Sequence, residues 1–476
     1  MTAFLAKFGV ALHVALMVLW ASWARGGSAP AYFWALPWLS LGLIEVMLLL
    51  PLRQPNESVQ SAFVRLLKKI AMDPIFYIGM LLLAFLFIQW QNGPLELEYD
   101  VTDQVWRYTE PKWKSMPFCV NQGEAVQVLI WFSAVLTTLL AVRHCIGPKG
   151  RMLLLHIFVW NGVLLSLLGL LQLWTSPDKL FWYRPMKVFF FATFGYPNHA
   201  GSFFLLTSAI NMGLFIHALT GQDEEYSYPW HLGVALIFNL AAVYASMCRA
   251  AIVLVSILLV FFLLYGLFYL RNRISKGVLF KLVTVFVVLS GFIVAIASMP
   301  NSSFAKEVKT ITFDNVSSVY GGDREILSEA AVKIWKDNPW TGVGGWGFRR
   351  YVGLYIGDDQ WTFLQENGKA NVHHDILQFL CEHGAIGGGL MIALALVLFI
   401  HLGIKLAAVP EAENTETPKI QLWFDSISPV VILSMAGIIC VLVHSTVDLP
   451  FRSTAVLLLW FITLALLPGF VKRKKK

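Results

Sequence analysis

Charge is scarce in this sequence. Asp, Glu, Lys and Arg make up 14% of its 476 residues, where soluble domains carry roughly 25%. An ordinary soluble protein is thereby excluded, because a hydrophobic content of 57% would demand a larger core than a single domain of this length builds. Cysteine is sparse too. Cys119, Cys145, Cys248, Cys381 and Cys440 are scattered, with no CxxC and no His–Cys spacing, so neither a zinc site nor a disulfide framework is indicated. Cys119 and Cys381 fall on the same side in the topology below, but no spacing pairs them. An internal repeat of clear period is missing, which speaks against an inverted-repeat transporter. The N-terminus lacks a short apolar segment with a small-residue cleavage site, so its first apolar run is expected to be a retained span.

What the sequence has instead is apolar runs of roughly 20 residues, the length of helix that crosses ~30 Å of hydrocarbon at 1.5 Å per residue. About twelve are expected, near 4–22, 31–51, 72–90, 124–143, 152–174, 199–219, 229–247, 250–270, 278–299, 385–408, 427–445 and 452–471. The expected fold is an all-α integral membrane protein with one large insertion. It divides into membrane helices over 1–299, a loop domain over 300–384, and further membrane helices with a basic tail over 385–476. The net charge of +7 is read through its distribution rather than as a signal for nucleic acid. Lys and Arg follow the even-numbered spans (Arg53, Arg65, Lys68 and Lys69; Arg143, Lys149 and Arg151; Arg271, Arg273 and Lys276; Lys472 to Lys476). The loop after the sixth span is an acidic exception. By the positive-inside rule both termini are cytoplasmic, and the loops near 91–122, 175–198, 300–384 and 446–451 face the other side, the periplasm in a bacterium.

The stretch Gly321–Gly388 holds the densest chemistry. Arg324 opens a polar helical run that stops at Pro339. His373, His374, Asp375, Gln378 and Glu382 open a second helix. A histidine near its ordinary pKa can take a proton from a hydroxyl at neutral pH, whereas the plain alternative is a polar helix-start residue. Arg249, between the seventh and eighth spans, is either an interfacial side chain reaching headgroups or a guanidinium fork for phosphate. For Arg324 the plain alternative is a local contact with Asp323 or Ser328. Thr341–Gly347 fits GxGxxG, but a helical run precedes it, not a strand, so a glycine turn is expected rather than a dinucleotide site. Adjacent His373 and His374 point apart, and no HExxH is present, so no metal is called for. Asn198 and His199 lie in a turn where Asn198 suits a helix cap. His444, Asp448 and Arg452 crowd a short outer turn, either as substrate contacts or as a local salt-bridged cap.

Together these residues resemble the bacterial O-antigen ligase and polymerase family of polytopic glycosyltransferases. His373-His374-Asp375-Ile376-Leu377-Gln378 with Glu382, Gly384 and Gly387 is similar to the family's periplasmic motif, a His usually followed by Asn or Ser, then nine residues, then Gly-x-x-Gly, with His374 in place of the usual second residue. The spacing to the glycines matches His373. Asn338-Pro339-Trp340-Thr341-Gly342-Val343-Gly344 resembles the segment before that motif, and Tyr196-Pro197-Asn198-His199-Ala200 resembles its Asn-Pro-Asn turn, with Tyr196 replacing the first Asn. Arg249 and Arg324 fall where two functional arginines are expected. The resemblance covers roughly residues 180–460. It implies a GT-C-like architecture in the bacterial inner membrane and an undecaprenyl-diphosphate-linked glycan donor. The implied acceptor is a lipid or glycan such as lipid A–core, in a metal-independent, inverting transfer without cofactor. His373, Arg324 and Arg249 are then the catalytic candidates; Asn198, His199, His374, Asp375, Gln378, His444, Asp448 and Arg452 are the substrate-binding ones. A polymerase, a protein O-oligosaccharyltransferase and, from another class, a polysaccharide-lipid transporter are the alternatives.

Overall fold

A computed structural model describes residues 2–27, 34–54, 56–186, 189–220, 229–271, 273, 323–357, 370–408 and 427–471. It is mostly helical. In chain order the helices longer than four residues are α1 (Thr2–Trp23), α2 (Ala35–Leu49), α3 (Val59–Ala71), α4 (Pro74–Gln91), α5 (Gln122–His144), α6 (Pro148–Thr175), α7 (Pro197–Leu219), α8 (Pro229–Ala245), α9 (Arg249–Leu270), α10 (Asp323–Asp337), α11 (Asp375–Ala407), α12 (Pro429–His444) and α13 (Thr454–Leu466) among the described residues. Seven of these (α1, α4, α5, α6, α7, α9 and α11) are long and apolar enough to cross a membrane. Four shorter apolar helices begin at Ala35, Pro229, Pro429 and Thr454. All lie at positions expected from hydropathy, while the span expected at 278–299 lies outside the described residues.

Two small antiparallel hairpins depart from the all-α expectation. In the loop after α4, β1 (Leu97–Asp100) pairs with β2 (Val105–Tyr108). A cross-strand Tyr99–Trp106 contact, 5.3 Å between rings, and an Asp100 side chain accepting from the Thr102 amide favour strand and turn over helix. A shorter pair, β3 (Lys179–Leu180) and β4 (Arg184–Pro185), follows α6. The first hairpin rests on the insertion: Tyr108 packs on Tyr351 at 4.7 Å and its hydroxyl donates to the Arg350 carbonyl at 3.1 Å.

The insertion has a small core of its own. Leu327, Ala330, Ala331 and Ile334 recur at helical spacing along α10 and meet Val343, Phe348, Val352, Val372 and Cys381. Cys381 belongs to α11, so the insertion is anchored on a membrane helix. Antiparallel α7 and α12 pack closely, with Gly437 set against Ala209; small residues at such a contact let backbones approach. The start of α7 is thereby held beside the end of α12, and the outer turn after α12 becomes a fixed platform.

Candidate active site

Four helix N-termini (α7, α9, α10 and α11) surround the turn Ser445–Leu449 that leaves α12. Asp448 is its centre and is almost wholly buried. The Tyr196 hydroxyl donates to both carboxylate oxygens, at 3.0 and 3.1 Å. The Asn198 side-chain amide donates to the same carboxylate, and the Leu449 amide donates to it at 2.7 Å. Asn198 is therefore not the cap of α7. Tyr196 holds that position without a side-chain cap bond, and Pro197 starts the helix. Arg324 reaches across 123 residues to donate to the Val447 carbonyl at 3.0 Å, and lies 3.8 Å from Asp448. His373 Nδ1 stands 3.7 Å from Asp448, an ion-pair distance longer than a hydrogen bond. Burial opposes ionisation of Asp448, yet His373, His444 and the Leu449 amide outweigh it and hold the carboxyl below the usual carboxylate range. Burial and the adjacent Asp448 push the Tyr196 phenol above its ordinary value, so it remains a donor.

His373 has φ 56°, the left-handed region a non-glycine residue seldom adopts and that often marks a functional position. Its neighbours hold it there. The Val372 amide donates to Gln378 Oε1 at 3.1 Å. His374 caps α11, its Nδ1 accepting from the Leu377 amide at 3.3 Å, and burial lowers its pKa. The Asp375 amide donates to the Ser445 carbonyl at 2.8 Å, and its carboxylate accepts from the Phe451 amide at 2.8 Å.

A second, closed cluster lies beneath. Arg452 approaches Glu382 at 2.8 Å, off the N–H axis, and Asp375 at 3.8 Å. Its guanidinium is flanked by Phe379 and Trp346, 4.3 and 4.6 Å from the ring centres. Gln378 donates to Glu382 at 2.9 Å. Arg349 also lies over Trp346, 3.8 Å from the ring centre, donating to Asn371; burial lowers its pKa to about 10. Asp375, Gln378 and Arg452 thus make contacts within the protein. The same holds for His199, which donates to the Leu449 carbonyl at 3.0 Å, and for His444. The latter joins Ser202 Oγ at 2.7 Å and lies 3.6 Å from Cys248 Sγ. Cys248 immediately precedes Arg249, so this chain of contacts sets the start of α9 beside the Asp448 turn. Arg249 itself is exposed.

The glycine turn has a structural task that the sequence pattern concealed. At Gly384 (φ 61°, ψ −170°) α11 breaks, and residues 339–344 bind both sides of the break. The Ala385 and Ile386 amides donate to the Pro339 and Trp340 carbonyls, and the Val343 and Gly344 amides to those of Cys381 and Glu382. A Cβ on Gly384 would lie 2.3 Å from the Trp340 backbone, and one on Gly342 2.3 Å from that of Glu382. Gln89 of α4 completes the join, donating to the Thr341 and Glu382 carbonyls at 3.0 and 3.1 Å and accepting from His383 at 2.9 Å. Sequence reasoning passed over Gln89, although an amide inside an apolar span is itself a signal. Cys119 and Cys381 are both buried free thiols. Among the described residues no group of three or more His, Cys, Asp or Glu is arranged to hold a metal ion.

Residues 234–392 match the family model described as O-antigen ligase. This match supports the O-antigen ligase/polymerase family for that third of the chain. Arg249, Arg324, His373 and Glu382 fall inside the matched segment, whereas Tyr196, Asn198 and Asp448, which gather around them, fall outside it. The family points to glycosyltransferase activity of the ligase/polymerase type, and with the seven long apolar helices it makes this a multi-pass membrane protein. No curated protein matches the chain.

Proposed function

We propose that this protein transfers a glycan from undecaprenyl diphosphate to an acceptor hydroxyl, most specifically that of lipid A–core, at the periplasmic face of the bacterial inner membrane. The reading includes a GT-C-like arrangement of about twelve spans with cytoplasmic termini. The observation that carries it is the meeting of His373 and Arg324 at Asp448, with Arg249 tethered to the same turn through Cys248 and His444.

The chemistry follows from the residue types. Arg249 and Arg324, each in the first turn of its helix, add permanent charge to the partial positive charge of a helix start. They hold the donor diphosphate and stabilise the negative charge that develops on its ester oxygen. His373 Nδ1 faces Asp448, which leaves Nε2 for the acceptor. The acceptor oxygen attacks the anomeric carbon as its proton passes to His373. The bond to the diphosphate breaks, and undecaprenyl diphosphate leaves with the electron pair. Attack from the opposite side inverts the anomeric configuration. Asp448 keeps the imidazole oriented and stabilises its protonated form. Asp375, Gln378, Glu382 and Arg452 act as positioning residues, because they fix the backbone on both sides of His373. No step in this scheme calls on a metal or cofactor.

The test uses purified full-length protein and a lipid-linked donor, with released undecaprenyl diphosphate as the readout. His373→Ala is expected to lower the rate about 10²–10⁴-fold, the usual worth of a general base, and Arg324→Ala to abolish transfer, with melting temperature preserved in both. Near-normal turnover in both variants overturns the site. Activity lost in EDTA and restored by Mg²⁺ overturns metal independence. Mass analysis of lipopolysaccharide, free polymer and protein glycans after gene deletion identifies the acceptor.

A further inference from the structure

A cation-rich cluster lies at the opposite end of the same helices, with roughly 25 Å of helix rise between Gly384 and His401 along α11. Asp73 precedes α4 and is nearly fully buried. It accepts from Arg143 at 2.6 Å and contacts His144 at 2.7 Å. Arg143 also reaches His401 Nδ1 at 2.9 Å. Arg151 and Lys405 lie within electrostatic range of His401. Asp73 is the carboxylate in this group, and Arg143 already occupies it.

Arg151 is the informative member. It is half-buried and finds no acceptor among the described residues. Its guanidinium lies so close to the backbone of the Leu467–Phe470 turn that a Cβ on Gly469 would come within 2.1 Å of it. It also stands in the first turn of α6, where the helix dipole disfavours a cation. A guanidinium withdrawn from water at the positive end of a helix calls for an anion.

The neighbouring helix indicates where that anion comes from. α3 carries Arg65, Lys68 and Lys69 beside exposed Val64 and Leu67, with Met72 exposed just beyond its end. Such a helix lies in the headgroup layer. Basic pockets between membrane helices at that level take phospholipid headgroups.

We propose that this end of the bundle is a binding site for the phosphate of an anionic phospholipid, with Arg151 as its principal ligand and Arg143 and His401 as its fixed wall. The site stands independently of the transfer reaction. To test it, full-length protein in neutral detergent is titrated with phosphatidylglycerol, phosphatidylcholine and inorganic phosphate, while native mass spectrometry counts bound lipid and unfolding gives the melting temperature. Phosphatidylglycerol is expected to bind and raise the melting temperature, phosphatidylcholine to do neither, and millimolar phosphate to leave the lipid in place. Arg151→Gln should weaken phosphatidylglycerol binding about tenfold, the scale of one charge-assisted hydrogen bond. Gly469→Ala should weaken it too, by displacing the guanidinium, and Lys7→Gln should have no effect. Equal binding of both lipids overturns the proposal, as does displacement by phosphate, wild-type affinity in Arg151→Gln, or an equal loss in Lys7→Gln. If Arg151→Gln does not fold, Gly469→Ala and the wild-type competition decide.

Discussion

Asp448 and Glu382 are both buried carboxylates at the base of one insertion, yet their partners differ. The side chains facing Asp448 stay open to solvent, His373 by 28% and Arg324 by 36%. Arg452, facing Glu382, is 1% exposed and sealed by aromatic rings. A carboxylate whose cationic partners can also meet another molecule is arranged for chemistry. A carboxylate whose partner is enclosed holds structure, because an enclosed pair cannot be broken without leaving a charge stranded in low dielectric. In this protein the two lie on adjoining segments, and the closed cluster orients the open one.

The largest expected effect probes the closed side. Arg452→Met strands Glu382 and should cost about 3–5 kcal/mol of stability, seen as a large drop in melting temperature. Adding Glu382→Gln should restore part of it. If Arg452→Met lowers turnover but leaves the melting temperature unchanged, the division between the clusters fails.

Asp448→Asn is expected to do the reverse, with transfer falling about 100-fold or more as His373 loses its orienting charge and a smaller change in melting temperature. Its acid behaviour sharpens the point. A depressed carboxyl contributes stability in full above its unfolded pKa of about 3.9 and loses it only as pH falls through the lower folded value. Wild type should therefore hold this contribution in mild acid, whereas Asp448→Asn should lack it at every pH.

Gly384→Ala places a Cβ against the Trp340 backbone at a φ of 61°. It should destabilise by about 1–3 kcal/mol and, by loosening the join between the clusters, lower turnover as well; full activity with normal melting would remove the latch from the account.

The smallest effect is at His374. Loss of its helix cap in His374→Ala should cost about 1 kcal/mol. Because burial lowers its folded pKa, the unfolded chain takes the proton first. The cap's contribution is then present above about pH 6.5 and fades as pH falls, and a melting-temperature difference between variant and wild type that shrinks in acid checks the sign.

Most apolar helices were legible because hydrocarbon thickness imposes a length and a composition on them. The breaks were less so. Gly384 sits in an unremarkable Glu-His-Gly-Ala-Ile run, and only its φ reveals that α11 stops and restarts there. The β1–β2 hairpin was missed because four-residue strands carry too few residues for periodicity to register. Within the site, Arg324, His373 and Asp448 were singled out by residue type and position in outer loops. Arg452, Asp375 and Gln378 were singled out on the same grounds and proved to be enclosed, since nothing in a linear pattern tells whether a polar side chain turns inward.

The sequence by itself determined the membrane helices and the concentration of arginines, histidines and carboxylates between them, because hydrophobic length and residue type are local properties. Tertiary structure alone decided which of those polar residues share a place. Asn198, Arg324, His373 and Asp448 span 250 positions, and close α7–α12 packing together with the insertion anchored on α11 brings them to one turn. It also decided which were sealed by Trp346 and Phe379, for burial depends on what the rest of the chain lays over a side chain.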